Sequence, residues 1–259
     1  MFFDRQCVRV FAGLFVAACA CVFSGCSILT PRPVMPISEV VQLSQSSPEQ
    51  AISRSAASKT TYALRGSDFG KLAEAGVPPQ VLDHLQQAFV NDVDLLTRYW
   101  VQGESLGGCA SCYPQPVDLA TLPAGGNGMA DASGVGRYTT YGKPEGLPDW
   151  VTALPGNANA PGLTIGEIER LVKEGTPAAE LAARIDASRL HDIIGTQGIT
   201  HIGTHYSVGL SGSQLAQLHK DGASDDVLDA LQRKFLAEFI EFDRLRYQSL
   251  GKGPGGSLN

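Results

Sequence analysis

Two clusters in this chain carry residue types that could do chemistry. The first is Cys109-Ala110-Ser111-Cys112. Two thiols this close can form a local disulfide in an oxidising compartment, exchange with other disulfides, or supply two ligands of a zinc site. The surroundings narrow these options. Covalent haem attachment needs a histidine after the second cysteine, and Tyr113 stands there. A thioredoxin-like pair needs a helix N-terminus in a βαβ setting, which the neighbouring Gly and Pro do not offer. Zinc needs two further ligands. A disulfide between Cys109 and Cys112 is the expectation, with redox chemistry or metal binding as the rival.

The second cluster is Thr200-His201-Ile202-Gly203-Thr204-His205-Tyr206. Histidines four apart share one face of a helix and can hold a metal together. Gly195, Gly198, Gly203 and Gly209 make this stretch a loop, where that spacing loses its meaning. His201 and His205 are therefore expected to be exposed, and His191 or His219 would complete a site only if folding brought them in. Gly103-Glu104-Ser105-Leu106-Gly107 has the letters Gly-x-Ser-x-Gly but follows a helical stripe, not the strand that a nucleophile elbow needs, and the glycine runs lack the strand and helix of a phosphate loop. No catalytic residue, metal or cofactor is assigned, and enzymatic activity is not expected.

Bulk properties bound the remaining choices. Apolar residues make up 43% and charged residues 18% of 259, as in a folded body of one or two domains. The net charge of −6 argues against nucleic acid as a partner and against binding to anionic headgroups through charge.

The elements that would position these clusters are repeats. Leu64 to Arg98 and Leu210 to Arg244 align without gaps at an offset of 146. The pairs Ser67/Ser213, Leu72/Leu218, Gly76/Gly222, Val81/Val227, Leu82/Leu228, Asp83/Asp229, Leu85/Leu231, Gln86/Gln232 and Phe89/Phe235 are identical, as are both ends. Convergent helix patterning explains shared leucines but not Gly, Asp and Gln in register. A third copy begins at Leu163, with Ile168, Leu171 and Gly175 in the matching places. A fainter fourth begins near Pro36, where Ser46 or Ser47 replaces the glycine. Each copy reads as a short amphipathic helix, a glycine that takes a left-handed C-cap, and a restart at Pro78, Pro177 or Ser224.

The second hairpin of each pair runs on into a long helix. Leu82, Leu85, Phe89, Val93, Leu96 and Trp100 step by three and four, and so do Leu228, Leu231, Phe235, Phe239 and Phe242. A helix of about 22 residues reaches about 33 Å, past its own hairpin. Its far end must be covered by the other long helix or by a partner. The stripe ends at Trp100 and at Phe239, Ile240 and Phe242 are the expected partner surface. Between the pairs, residues 103–162 collect Gly and Pro and exclude long regular elements. Tyr113, Tyr138, Tyr141 and Trp150 are too aromatic for a bare linker, so this segment is expected to lie partly against the helices.

The N-terminus fixes the expected compartment. Arg5 and Arg9 precede an apolar run from Val10 to Phe23, long enough for a signal peptide and short for a membrane span. It ends in Phe23-Ser24-Gly25-Cys26, which resembles the lipobox of bacterial lipoproteins, with Phe where that family usually has Leu. The resemblance implies cleavage before Cys26 and acyl chains on that cysteine. Each buried methylene contributes about 0.8 kcal/mol, and more than one chain makes anchoring stable. Ser27, rather than Asp, implies the outer membrane. Cleavage removes Asp4, Arg5 and Arg9, so the mature chain keeps 18 basic and 25 acidic residues, net −7.

The repeats themselves resemble paired helical hairpins of bacterial envelope lipoproteins of uncharacterised function. In that pattern an Ile-x-x-Ser stretch and a Tyr precede the second hairpin. Ile52 to Ser55 with Tyr62, and Ile185 to Ser188 with Tyr206, fit it. The missing glycine near Ser47 and the Gly-rich insert after Ser188 depart from it. The resemblance implies an architecture and a compartment but no activity.

The expected fold is all-α: a signal peptide over 1–25, a lipidated tether over 26–35, and helical units over 36–102 and 162–250. The irregular segment 103–162 joins the units, and a tail follows over 251–259. The expected role is a non-catalytic interaction or structural module on the periplasmic face of the outer membrane. Its acyl chains would hold it to the membrane, with a protein partner or a second copy of itself and no nucleic acid. The rival is an envelope redox or metal protein using Cys109, Cys112, His201 and His205.

Overall fold

The structure, a computed structural model, describes residues 34–103, 113–115, 117, 119, 144, 146–151, 160–190 and 209–251. The described helices come in four hairpins. They are α1 (Ile37–Ser46) with α2 (Pro48–Ser58), α3 (Gly66–Glu74) with α4 (Pro79–Gln102), α5 (Ile165–Lys173) with α6 (Ala178–Ala187), and α7 (Gly212–Lys220) with α8 (Asp225–Gly251). The fold is all-α, with a minor parallel pairing of β1 (Gly162–Leu163) and β2 (Arg189–Leu190). No described helix is long and apolar enough to cross a membrane.

Local chemistry accounts for where the hairpins begin and turn. Thr164 and Ser211 each accept a hydrogen bond from the backbone N–H three residues on, at 3.1 and 3.2 Å. Glu167 and Gln214 reciprocate to the cap N–H groups at 2.9 Å. At the other end Gly76, Gly175 and Gly222 take φ of 86°, 75° and 101°. This lets the next residue, Val77, Thr176 or Ala223, donate back to Leu72, Leu171 or Leu218 O at 2.9–3.0 Å. The α1–α2 turn manages without glycine. Ser47 is extended there (φ −154°) and its hydroxyl accepts from Gln50 N–H. A Cβ at Gly175 or Gly222 would meet no atom within 4 Å, so alanine there tests backbone strain alone. Each substitution should cost about 1–2 kcal/mol, read as a lower urea midpoint with an unchanged slope.

The long helices, 24 and 27 residues, extend about 36 and 40 Å. They cover each other. Gln86 meets Gln232, and further on Asp94 meets Tyr247, so α4 and α8 run side by side in the same direction. Leu82, Leu85, Phe89 and Val93 of α4 and Leu228, Leu231 and Phe235 of α8 are buried along this seam. The short helices α3 and α7 pack on each other, and each also packs on the long helix of the other repeat. The described residues thus share one hydrophobic core in one compact body.

The outer hairpins dress this centre. On one side α6 lies along α8, where Arg233 pairs with Asp186 at 2.9 Å and the Glu238 carboxylate accepts from Leu190 N–H at 3.1 Å. On the other, α2 meets α4, and the chain entering α1 is clamped at Met35. Met35 N–H donates to Thr60 Oγ1 at 3.0 Å, and its carbonyl accepts from the Tyr62 hydroxyl at 2.7 Å. The described part of the middle segment does lie against the helices. Gln115 bridges to Thr61 and Ala63, Trp150 tilts over Phe89 with ring centroids 6.1 Å apart, and Leu147 and Val151 are buried.

Candidate functional site

Most residues singled out for chemistry in the sequence, namely Cys26, Cys109, Cys112, His191, His201 and His205, lie outside the described residues. His219 is described: its Nε2 sits 2.9 Å from Glu74 Oε1, and its ring packs over Gly70. Among the described residues, no group of three or more His, Cys, Asp or Glu side chains is placed to hold a metal.

The expected partner surface needs correcting in part. Trp100 and Phe242 are half-buried at the ends of the long helices. Phe239 and Ile240 are 6% and 1% exposed and belong to the core, so they offer nothing to a partner in this arrangement. The reason is that α8 is covered on two sides. Leu228, Leu231, Phe235 and Phe239 form one apolar stripe, while Leu236, Ala237 and Ile240 form a second, buried one.

What the structure brings together is the seam between the repeats, and its polar contacts come in related pairs at the offset of 146. Ser67 N–H donates to Asp229 Oδ1 at 2.9 Å, and Ser213 N–H to Asp83 Oδ1 at 2.8 Å. Each aspartate thus caps the first turn of a helix in the other repeat, where a carboxylate meets free N–H groups and the positive helix end. Gln86 and Gln232, both fully buried, exchange amide hydrogen bonds at 3.0 and 2.9 Å. Their amides also donate to Leu210 O and Leu64 O, at 3.3 and 3.4 Å. Gly66 lies against Leu228 O, and Gly212 against Leu82 O. The two copies therefore embrace about an approximate two-fold axis that passes between the glutamines. The Gly66/Gly212 pair, identical at the same offset, is absent from the pairs singled out above, although the alignment holds it.

A second polar group lies further along the seam and breaks this symmetry. Asp94 and Thr97 of α4 face Asp243, Arg246 and Tyr247 of α8, and at the offset of 146 Asp94 corresponds to Ile240 and Thr97 to Asp243. Tyr247 donates to Asp94 Oδ1 at 2.6 Å, and Arg246 Nη2 donates to the Tyr247 hydroxyl at 2.7 Å. Desolvation holds the Tyr247 phenol above its ordinary range, with the Asp94 bond adding to it. None of these residues stood out in the sequence. The available signal was a carboxylate set against the apolar stripe of a repeat whose other copy has Thr or Ile.

Burial also raises two carboxyls elsewhere. Asp68, which accepts from Arg65 N–H at 2.8 Å, is pushed up to about 6, and so is Asp92, which accepts from the Thr61 hydroxyl. Both values exceed the ordinary 3.8, so the folded state holds protons that the unfolded chain has released. Their stabilisation is complete below about pH 4 and is lost as pH rises through about 6. The urea midpoint should therefore fall between pH 4.5 and 7.5, by the equivalent of about 1–2 kcal/mol per group. Asp92→Asn should flatten part of that slope, and a midpoint that climbs over the same range would contradict the assignment.

Comparison of the chain with protein-family models, with curated proteins and with solved structures returns no match.

Proposed function

We propose that this chain is a non-catalytic interaction or structural protein of the bacterial envelope, held on the periplasmic face of the outer membrane by acyl chains on Cys26. The observation that supports the non-catalytic part is the use made of the polar side chains on the seam. Asp83, Gln86, Asp229 and Gln232 are engaged in joining one repeat to the other. Residues so occupied hold a rigid double repeat in shape. Stacked helical hairpins of this kind offer surfaces to other proteins.

The clamp at Met35 fits a tethered body. Met35 follows Cys26 by nine residues, a span of at most about 30 Å, so an acylated Cys26 would keep the helices close to the membrane. Near the C-terminal end of α8 Leu245 is 54% exposed and Phe242, one turn back, is half-buried; this end of α8 is the surface we assign to a protein partner or a second copy.

Two measurements test the reading. Labelled palmitate fed to cells should enter the wild-type chain and not Cys26→Ser, and the wild type should fractionate with the outer membrane. A photo-crosslinking residue at Leu245 should yield one discrete adduct in intact membranes, whereas the same residue at exposed Lys59 should not. Absence of label would remove the anchor, and absence of an adduct would remove the assigned surface.

A further inference from the structure

The α4–α8 seam changes character beyond Val93 and Phe239. Asp243 is fully buried there, and no donor is aligned with either of its carboxylate oxygens. Among the described residues, Arg246 Nη1 lies 3.2 Å from Asp243 Oδ1, and Asp94 meets the same guanidinium. Arg246 Nη2 is also 3.5 Å from Asp94 Oδ1, so one guanidinium serves two carboxyls. Thr97, fully buried, places its hydroxyl in the same stretch without a partner. With both aspartates ionised, this buried cluster would carry one uncompensated negative charge. A single retained proton removes it.

We propose that Asp94 and Asp243 form a proton-dependent clasp on the distal end of the seam, closed while Asp243 is protonated and donates to Asp94, and opened when that proton leaves. The clasp sits near the C-terminal ends of α4 and α8, beyond the interlocked hairpins. Among the described residues, the charges on neighbouring elements are engaged elsewhere: on α4, Arg98 lies over the Tyr99 ring. From α6 and β2, Asp186 pairs with Arg233, and Glu238 takes Lys234 and Leu190 N–H, nearer the middle of α8. On α8 itself Glu241 pairs with Arg244. Desolvation, reinforced by Asp94, pushes the Asp243 carboxyl up to about 8.

The sign follows from linkage. A carboxyl near 8 in the closed state and near its ordinary 3.8 in the open one makes opening more favourable as pH rises. The open fraction should grow about tenfold per pH unit between pH 5 and 7 and level off above 8. Opening would uncover Leu96, Trp100 and Phe242. Only that consequence rests on the interaction reading; the clasp does not.

The test uses the full chain in detergent micelles at pH 5, 7 and 9. Infrared spectra should show a protonated-carboxyl band at pH 7, where Asp68 and Asp92 have largely titrated, that is lost by pH 9 and is strongly reduced at pH 7 in Asp243→Asn. Amide exchange over 94–102 and 240–249, corrected for its intrinsic pH dependence and referred to 81–89, should rise about a hundredfold from pH 5 to 7. Asp243→Asn should abolish that rise, and Asp94→Asn should shift the loss of the band to lower pH. Absence of the band at pH 7, or a band there that Asp243→Asn leaves unchanged, overturns the shared proton. A band that titrates while corrected exchange stays flat, or an unchanged exchange profile in both variants, overturns the clasp.

Discussion

Alanine at Gly66 or at Gly212 is expected to remove most of the stability of the folded chain. A Cβ on Gly66 would lie 2.0 Å from Leu228 O and 2.4 Å from its carbonyl carbon; one on Gly212 would lie 2.3 and 2.6 Å from the same atoms of Leu82. Neither obstacle can rotate away, because both are the backbone of a helix. To admit the methyl, α3 or α7 must back away from the opposite long helix by about an ångström. The aspartate caps at Ser67 and Ser213 and the glutamine pair lie on the same surface and would stretch with it. A loss of at least 3 kcal/mol is expected for each variant, against a total of about 5–15 for a domain of this kind. Gly70 supplies the control. A Cβ there would be 2.4 Å from the His219 ring, and a side chain can turn aside where a backbone cannot. Urea unfolding of the full chain, followed by circular dichroism, should rank Gly70→Ala well above the other two. Equal midpoints for all three would refute the tight helix crossing.

The contrast between local and tertiary information explains what could be read in advance. C-terminal glycines act within a few residues, so Gly76, Gly175 and Gly222 announce their hairpins in the sequence, and the structure places them as read. Periodicity says which face of a helix is buried but not against what. The mutual embrace of the repeats was therefore hidden, although it left a trace. Asp83/Asp229 and Gln86/Gln232 are identities that amphipathic helices do not require, and these are the residues that cross-link the copies. The same limit misplaced Phe239 and Ile240. A single stripe was legible, and the second face of α8, covered by α6, depends on a helix sixty residues away in a different hairpin. The pairing of β1 with β2 involves two residues on each side, too few to carry a strand pattern. The acidic pair on the seam was illegible for a related reason: Asp94 and Asp243 meet only because the two long helices run in the same direction.

The glutamine pair yields the second large effect, and its size depends on whether one member or both are changed. In Gln86→Leu the buried Gln232 Oε1 loses its donor, and Leu210 O loses the second bond from the same amide. Gln232→Leu strands Gln86 Oε1 and Leu64 O in the same way. A buried polar atom left unpaired costs about 1–3 kcal/mol, so each single variant should lose roughly 2–4. In the double variant the stranded amide is gone and two leucines meet between Leu82, Leu85, Leu228 and Leu231. It should be less destabilised than the sum of the singles by about 1–2 kcal/mol, a coupling that a double-mutant cycle in urea resolves. Strict additivity would mean that the two amides do not bond each other. The cycle also separates stability from uniqueness. A buried polar pair in an apolar stretch penalises local packings in which its members do not face each other. With leucine at both positions that check is gone, and the aspartate caps and glycine crossings are left to hold the register. The double variant should therefore keep its helical content while its amide NMR signals along α4 and α8 broaden or double.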